Sequence, residues 1–182
     1  EVANIVAKEI GLGPTSVAAA LIHDVVEDSD YTLEDIDRLF GEEIARIIDG
    51  LTKISGIFDQ DISLQAENFR KMLLTLSDDI RVILIKLADR LHNMRTMESM
   101  PVHKQVKIAS ETLYLYAPLA HRIGLYNIKT ELEDLSLKYT EPEVYRDIVL
   151  NLKSSEAGEA KYLSQFASVL KKDLKKAGLK FT

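Results

Sequence analysis

The 182-residue chain contains no cysteine and no tryptophan. Without thiols there is neither a disulfide framework nor a thiolate metal site, so any metal held here must take nitrogen and oxygen ligands. No apolar run approaches the roughly 20 residues that a membrane-spanning helix needs, and no segment has the pattern of a signal peptide. Positive charge is not in excess: 23 Lys and Arg stand against 29 Asp and Glu, for a formal charge of -6. That balance argues against general nucleic-acid binding, and so against direct DNA binding, while leaving room for one anion-binding pocket. No internal repeat or low-complexity tract is visible. A cytoplasmic globular protein with no membrane association is expected, long enough for one substantial domain and the start of another.

What the chain does have is helical periodicity almost everywhere, and convincing strand alternation almost nowhere, which predicts an all-α fold. "EVANIVAKEI" opens with Val2, Ile5, Val6 and Ile10 already at helical spacing, so further chain is expected upstream. A helix is expected from Thr15 or Ser16, either of which can cap it, to about Asp28. Thr32 and Asp35 stand at capping-box spacing before a helix that stops at Gly41. Ile44, Ile47, Ile48 and Leu51 give the next helix its apolar stripe. "KISGIFDQD" reads as loop, and Leu64, Phe69, Met72, Leu73 and Leu76 mark another helix. "DDIRVILIKLADRLHNMRTM" continues its apolar set at helical spacing well past strand length, which predicts a central helix buried on most sides. Val102 to Ala120 is read as one long helix kinked late by Pro118. Two shorter helices follow in "LYNIKTELEDLSLKY" and "EPEVYRDIVLNL", the second with Pro142 in its first turn. Residues 151–182, with a narrow apolar stripe edged by lysines and a strand-like ending "LKFT", read as a linker helix toward a second domain.

One stretch carries chemistry. In "AAALIHDVVEDSDYT" a run of apolar residues is interrupted by His23, Asp24, Glu27 and Asp28. Ionised groups are costly to bury unless a partner or a metal compensates them. On a helix His23 and Glu27 are i,i+4, as are Asp24 and Asp28, and residues so spaced share a face. Adjacent His23 and Asp24 differ by about 100° around the axis, so both can reach one ion in a groove beside the helix. A nitrogen with a carboxylate oxygen suits Mn, Fe or Zn better than Ca. The next turn then brings Glu27 and Asp28 close to a water attacking there. A further ligand is needed, and Asp89 again interrupts an apolar helix, between Ala88 and Leu91. Lys86, Asp89, Asn93 and Thr96 form one polar stripe at helical spacing, a plausible wall for a phosphate-bearing ligand.

Each feature also has a bland reading. A histidine near a helix end is commonly a hydrogen-bonded cap, and Glu27, Asp28 and Asp30 read equally as a solvated helix end, although acids at a C-terminus oppose the macrodipole. Asp89 reads equally as the partner of Arg90 or a neighbouring lysine. For Thr52 and Lys53 in "LTKI" the preferred reading is packing or ligand-side support. For His121 and Arg122 in "YAPLAHRIGL" it is fixing the bend near Pro118.

The blocks "AALIHDVVEDSDYT", "FGEEIARIIDGLTKI", "QAENFRKMLL", "DIRVILIKLADRLHNMRTM" and "KIASETLYLYAPLAHRIGLYNIKTELEDLSLKY", taken in order, resemble the hydrolase domain of RelA/SpoT-homologue stringent-response enzymes, members of the HD metallohydrolase superfamily. The resemblance runs from residue 1 to about 150. It implies an all-α HD-domain bundle over 1–150 that removes the 3′-pyrophosphate of guanosine tetra- or pentaphosphate with one Mn²⁺. It also implies, beyond the linker of 151–182, a C-terminal synthetase domain in the same longer chain. In that family the metal is held by an earlier histidine, a His-Asp doublet and a later aspartate. The doublet matches His23 and Asp24, and the later acid matches Asp89. The earlier histidine belongs to a "YxxHP" segment ahead of "VANIVA", and none of His92, His103 or His121 sits in such a motif. A basic guanine-gripping loop also belongs upstream. Glu27 and Asp28 match the pair that orients and deprotonates the attacking water. Asn93 and Thr96 match nucleotide-contacting positions, while Lys86 and Arg90 read either as phosphate contacts or as structural. A non-catalytic regulatory domain and an HD hydrolase of another nucleotide are the competing readings. Retention of His23, Asp24, Glu27, Asp28 and Asp89 speaks against the first, and the "QAENFRKM" and "LADRLHNMRT" blocks against the second.

Overall fold

Helical spacing becomes helices throughout the residues that the computed structural model describes, which are 1–58 and 79–153, with 54–58 described by backbone alone. No strand occurs among them. The expectations for 64–76 and for 154–182 fall outside the described residues.

The first helix begins as a single turn, α1 (Val2–Asn4), and continues with π-helical winding over Ile5–Ile10. It ends at Gly11, whose φ of 81° is the left-handed conformation that a residue without Cβ adopts freely. Helix α2 (Pro14–Leu21) starts one residue earlier than the spacing of Thr15 and Ser16 suggests. Pro14 takes the first helical position, where its fixed φ suits the helix and its missing N–H is not needed, and Gly13 caps it without any side-chain bond.

The expectation of one helix from there to Asp28 is overturned. The helix breaks after Leu21: Ile22 (φ -120°, ψ 17°) and Asp24 (φ -102°, ψ 1°) leave helical geometry, and a separate turn, α3 (Val25–Asp28), follows. The break is a hydrogen-bonded corner in which the Ile22 amide donates to the Ala19 carbonyl and the Val25 amide to the Ile22 carbonyl, each at 3.1 Å.

Helix α4 (Leu33–Phe40) has the full capping box at Thr32 and Asp35 and stops at Gly41, as the spacing predicts. Helix α5 (Glu42–Phe58) runs past Lys53 into the stretch read as loop. A single glycine inside a helix costs only about 1 kcal/mol, and Gly56 does not end this one. Thr52 and Lys53 bond within α5, to the Ile48 carbonyl at 3.1 Å and the Asp49 carboxylate at 2.5 Å.

Helix α6 (Ile80–Thr96) is the central element expected, with Val82, Ile83, Ile85, Leu87, Ala88, Leu91 and Met94 buried. It opens on Asp79, whose carboxylate accepts from the Arg81 amide at 3.0 Å. The first helix, α2 and α5 all pack on it, and α4 packs on α5. Each large apolar side chain so buried contributes about 1.5–3 kcal/mol, and this is what holds a polar stripe on α6 in place.

A 3₁₀ turn (Met97–Ser99) leads to α7 (Val102–Glu111). The long helix expected there is continuous through Arg122, with a π-helical segment over Thr112–Tyr116 immediately before α8 (Ala117–Arg122). Pro118 has no N–H to give to the preceding turn, and the wider winding just ahead of it takes up the mismatch. The His121 ring meets Tyr126 edge to face at 5.5 Å across the turn into α9 (Tyr126–Thr140). Residues 1–136 form one compact unit and a second begins at Leu137. In the second, the end of α9 is followed by a helix over 142–153.

Candidate metal centre

The corner at 22–24 delivers His23 to the site. At the C-terminus of α2 the Ala20 carbonyl faces the His23 ring, with Nδ1 3.0 Å away. A carbonyl can only accept, so Nδ1 carries the hydrogen, and in the neutral ring Nε2 presents its lone pair. Nε2 lies 2.8 Å from Asp24 Oδ2 and 3.7 Å from Asp89 Oδ1. The Asp24 contact is an ion pair when the ring is protonated, and Nε2 is otherwise buried with no hydrogen-bond partner. Ligand atoms about 2.1 Å from one ion stand roughly 3–4 Å apart. A ring nitrogen and two carboxylates are donor types that a divalent cation takes, although among the described residues no three His, Asp or Glu side chains are spaced to hold one as they stand.

The local electrostatics favour a cation at the same point. Burial disfavours charge on the His23 ring, but the Asp24 and Asp89 carboxylates outweigh it and push the pKa up to about 9. Burial would raise Asp89, yet His23 and Lys86 beside it hold its carboxyl below the ordinary range. Asp89 is clamped from both sides. Asn93 Nδ2 donates to Oδ1 at 3.1 Å, and Lys86 Nζ lies 3.2 Å from Oδ2.

These groups line a cleft of about 370 Å³ between the start of α1, the end of α2 and the middle of α6. His23, Asp24, Asp89 and Asn93 are in its wall, together with Glu1 and His92. His92 was not singled out from the sequence, though it lies three residues after Asp89 and so on a neighbouring face of α6; that spacing was the available signal. The other candidates stand apart. Glu27 and Asp28, on α3, are exposed and do not line the cleft. The Thr96 hydroxyl donates to the His92 carbonyl at 3.0 Å and is outside the cleft wall. Arg90 is taken up by Tyr116: the guanidinium lies 4.2 Å from the ring centroid, Nη2 donates to the hydroxyl at 3.0 Å, and Glu111 Oε2 is 3.5 Å away. Tyr116 is buried, which raises its hydroxyl pKa.

The family model for the HD domain matches residues 1–126. A protein named GTP pyrophosphokinase from Myxococcus xanthus is 45% identical over 185 residues, which cover 99% of this chain and 24% of that protein. A probable guanosine-3′,5′-bis(diphosphate) 3′-pyrophosphohydrolase from Synechocystis is 51% identical over 142 residues, covering 78% of this chain and 19% of that protein. The bifunctional (p)ppGpp synthase/hydrolase SpoT of Escherichia coli K12 is 44% identical over 172 residues, covering 94% and 24%. The chain thus spans a quarter or less of the length of these relatives. The all-helical build of its described residues, its His-Asp doublet set against an aspartate of the central helix, and the match over 1–126 agree: this chain belongs to the HD-domain family, among RelA/SpoT-like members.

Proposed function

We propose that this chain is the hydrolase domain of a longer enzyme, removing the 3′-pyrophosphate of guanosine tetra- or pentaphosphate to leave GDP or GTP and pyrophosphate. Membership of a family of metal-dependent hydrolases implies a divalent ion, and Mn²⁺ is the ion we assign. The observation that carries the reading is the buried Nε2 of His23, which has no hydrogen-bond partner and lies near the Asp24 and Asp89 carboxylates in the wall of a cleft of about 370 Å³. The relatives whose names specify hydrolysis of this nucleotide support the substrate.

In this reading His23, Asp24 and Asp89 hold the ion, with an upstream histidine as the further ligand. What such an ion supplies is neutralisation of phosphoryl charge and acidification of water. Glu27 and Asp28, one turn beyond the doublet, orient the attacking water and take its proton. Asn93 steadies Asp89 and, with Thr96 further along α6, meets the nucleotide. Arg90 supports α6 from behind through Tyr116 instead of meeting phosphate. A synthetase domain C-terminal to this one, and a cytoplasmic setting, complete the proposal. No helix among the described residues is long and apolar enough to cross a membrane.

The test is pyrophosphate release from guanosine tetraphosphate by the full-length protein, with Mn²⁺ added and then removed by a chelator. Metal-dependent release is expected. Asp89→Ala should abolish metal binding, and Glu27→Gln should keep the metal while slowing release by about 10² to 10⁴. No release from a folded protein would leave a regulatory domain or a different nucleotide substrate.

A further inference from the structure

We propose that Lys86 is a positioning residue that keeps Asp89 a one-oxygen ligand and so holds a coordination position open. The inference rests on the metal site of the preceding section but not on the identity of the nucleotide.

The two oxygens of Asp89 have different neighbours. Oδ1 faces His23 Nε2 at 3.7 Å and accepts from Asn93, so it is turned toward the point where the donors converge. Oδ2 lies 3.2 Å from Lys86 Nζ. Lys86 sits one turn before Asp89 on the same rigid helix, and both side chains are largely buried, at 17% and 15% exposure. An ammonium so placed cannot easily swing into solvent, so Oδ2 stays engaged with it. A carboxylate that binds an ion through both oxygens must turn both toward it, and the Lys86 contact prevents that turn. A catalytic metal centre differs from a structural one in keeping a position free for water or substrate. Lys86 preserves that position by occupying the second oxygen, at the expense of a like charge a few ångströms from a dication.

That expense fixes the sign of the test. Lys86→Met removes both the repulsion and the restraint on Oδ2. The metal should then bind tighter, by on the order of tenfold for one like charge lost from a part-buried site, while turnover falls because Asp89 closes the free position. Lys86→Gln keeps a donor on Oδ2 without the charge, so it should bind metal more tightly than wild type yet retain most turnover. Lys86→Arg should resemble wild type in both. A residue of merely structural importance would move affinity and turnover down together.

The experiment titrates Mn²⁺ into the full-length protein and its variants, reading free Mn²⁺ from its electron paramagnetic resonance signal. Thermal unfolding without metal checks the fold, and pyrophosphate release is followed at saturating Mn²⁺. Affinity equal to or weaker than wild type in folded Lys86→Met would overturn the proposal, as would tighter binding with wild-type turnover. If Lys86→Met does not fold, Lys86→Gln decides by the same affinity criterion. If the wild type binds Mn²⁺ but releases no pyrophosphate, the functional reading fails, and the affinity shift alone decides the role of Lys86.

Discussion

Replacing Gly50 with alanine places a methyl group where α5 crosses α6. A Cβ built at Gly50 lies 2.7 Å from Val82 Cγ2 and 3.3 Å from Cγ1. Carbon atoms in ordinary contact stand about 3.5–4.0 Å apart, so roughly an ångström must be found. Val82 cannot yield easily: it is 1% exposed, and a β-branched side chain on a helix has one strongly preferred rotamer. Overpacking of this kind costs about 1–3 kcal/mol, against a gain of about 1 kcal/mol from replacing glycine inside a helix. The variant should therefore lose about 0–2 kcal/mol, centred near 1, which is up to about 8 °C in Tm for a chain of this size. Val82→Ala alone should cost about 2 kcal/mol by leaving a cavity. In the double variant the new methyl fills part of that space, so the two losses should combine to less than their sum by more than about 0.5 kcal/mol, the scatter of independent sites. Urea and thermal unfolding of the four proteins measure this. A Gly50→Ala variant more stable than its parent by the full helix gain of about 1 kcal/mol, or strict additivity, would refute the close approach of α5 to α6.

Acid should weaken the tie between the first helix, α6 and α9. Arg95 reaches Glu9 through Nη1 at 2.8 Å and Glu131 through Nε at 2.6 Å. The Arg95 hydrogen bond holds Glu9 below its ordinary carboxylate range in spite of some burial, so the unfolded chain takes up a proton there first as pH falls. The stability is therefore present above the ordinary value of about 4.5 and lost as pH falls through the folded value. Because the pair is partly exposed, Glu9→Gln should cost no more than about 1 kcal/mol at neutral pH and should flatten the loss of Tm between pH 5 and 3; an unchanged acid limb would refute it. At α4, Thr32→Ala removes one half of a capping box in which the Asp35 amide donates to Thr32 Oγ1 at 3.2 Å. A loss of about 1 kcal/mol is expected, with Thr32→Ser close to wild type, measured by chemical unfolding.

What could be read from the chain alone was whatever depends on neighbours in sequence. The capping box at Thr32, the stop at Gly41, the apolar stripe of α6 and the all-helical class are local regularities of 3.6-residue spacing, and all appear in the structure. So does the interruption of apolar runs by His23, Asp24 and Asp89, which marked them as side chains needing compensation. The tertiary structure decided how that compensation is arranged. Spacing placed His23 and Asp24 on one helix running to Asp28, but the Ala20 carbonyl at the end of α2 captures Nδ1, the helix breaks, and Nε2 is turned toward α6. Whether Asp89 would face it depends on how α2 and α6 pack, 66 residues apart in sequence, a matter of buried surface that no local pattern encodes. Likewise Arg90 and Lys86 are equivalent cations by sequence. Packing gave the first to Tyr116, which lies on another helix, whereas the second meets Asp89 through i,i+3 spacing within α6 itself.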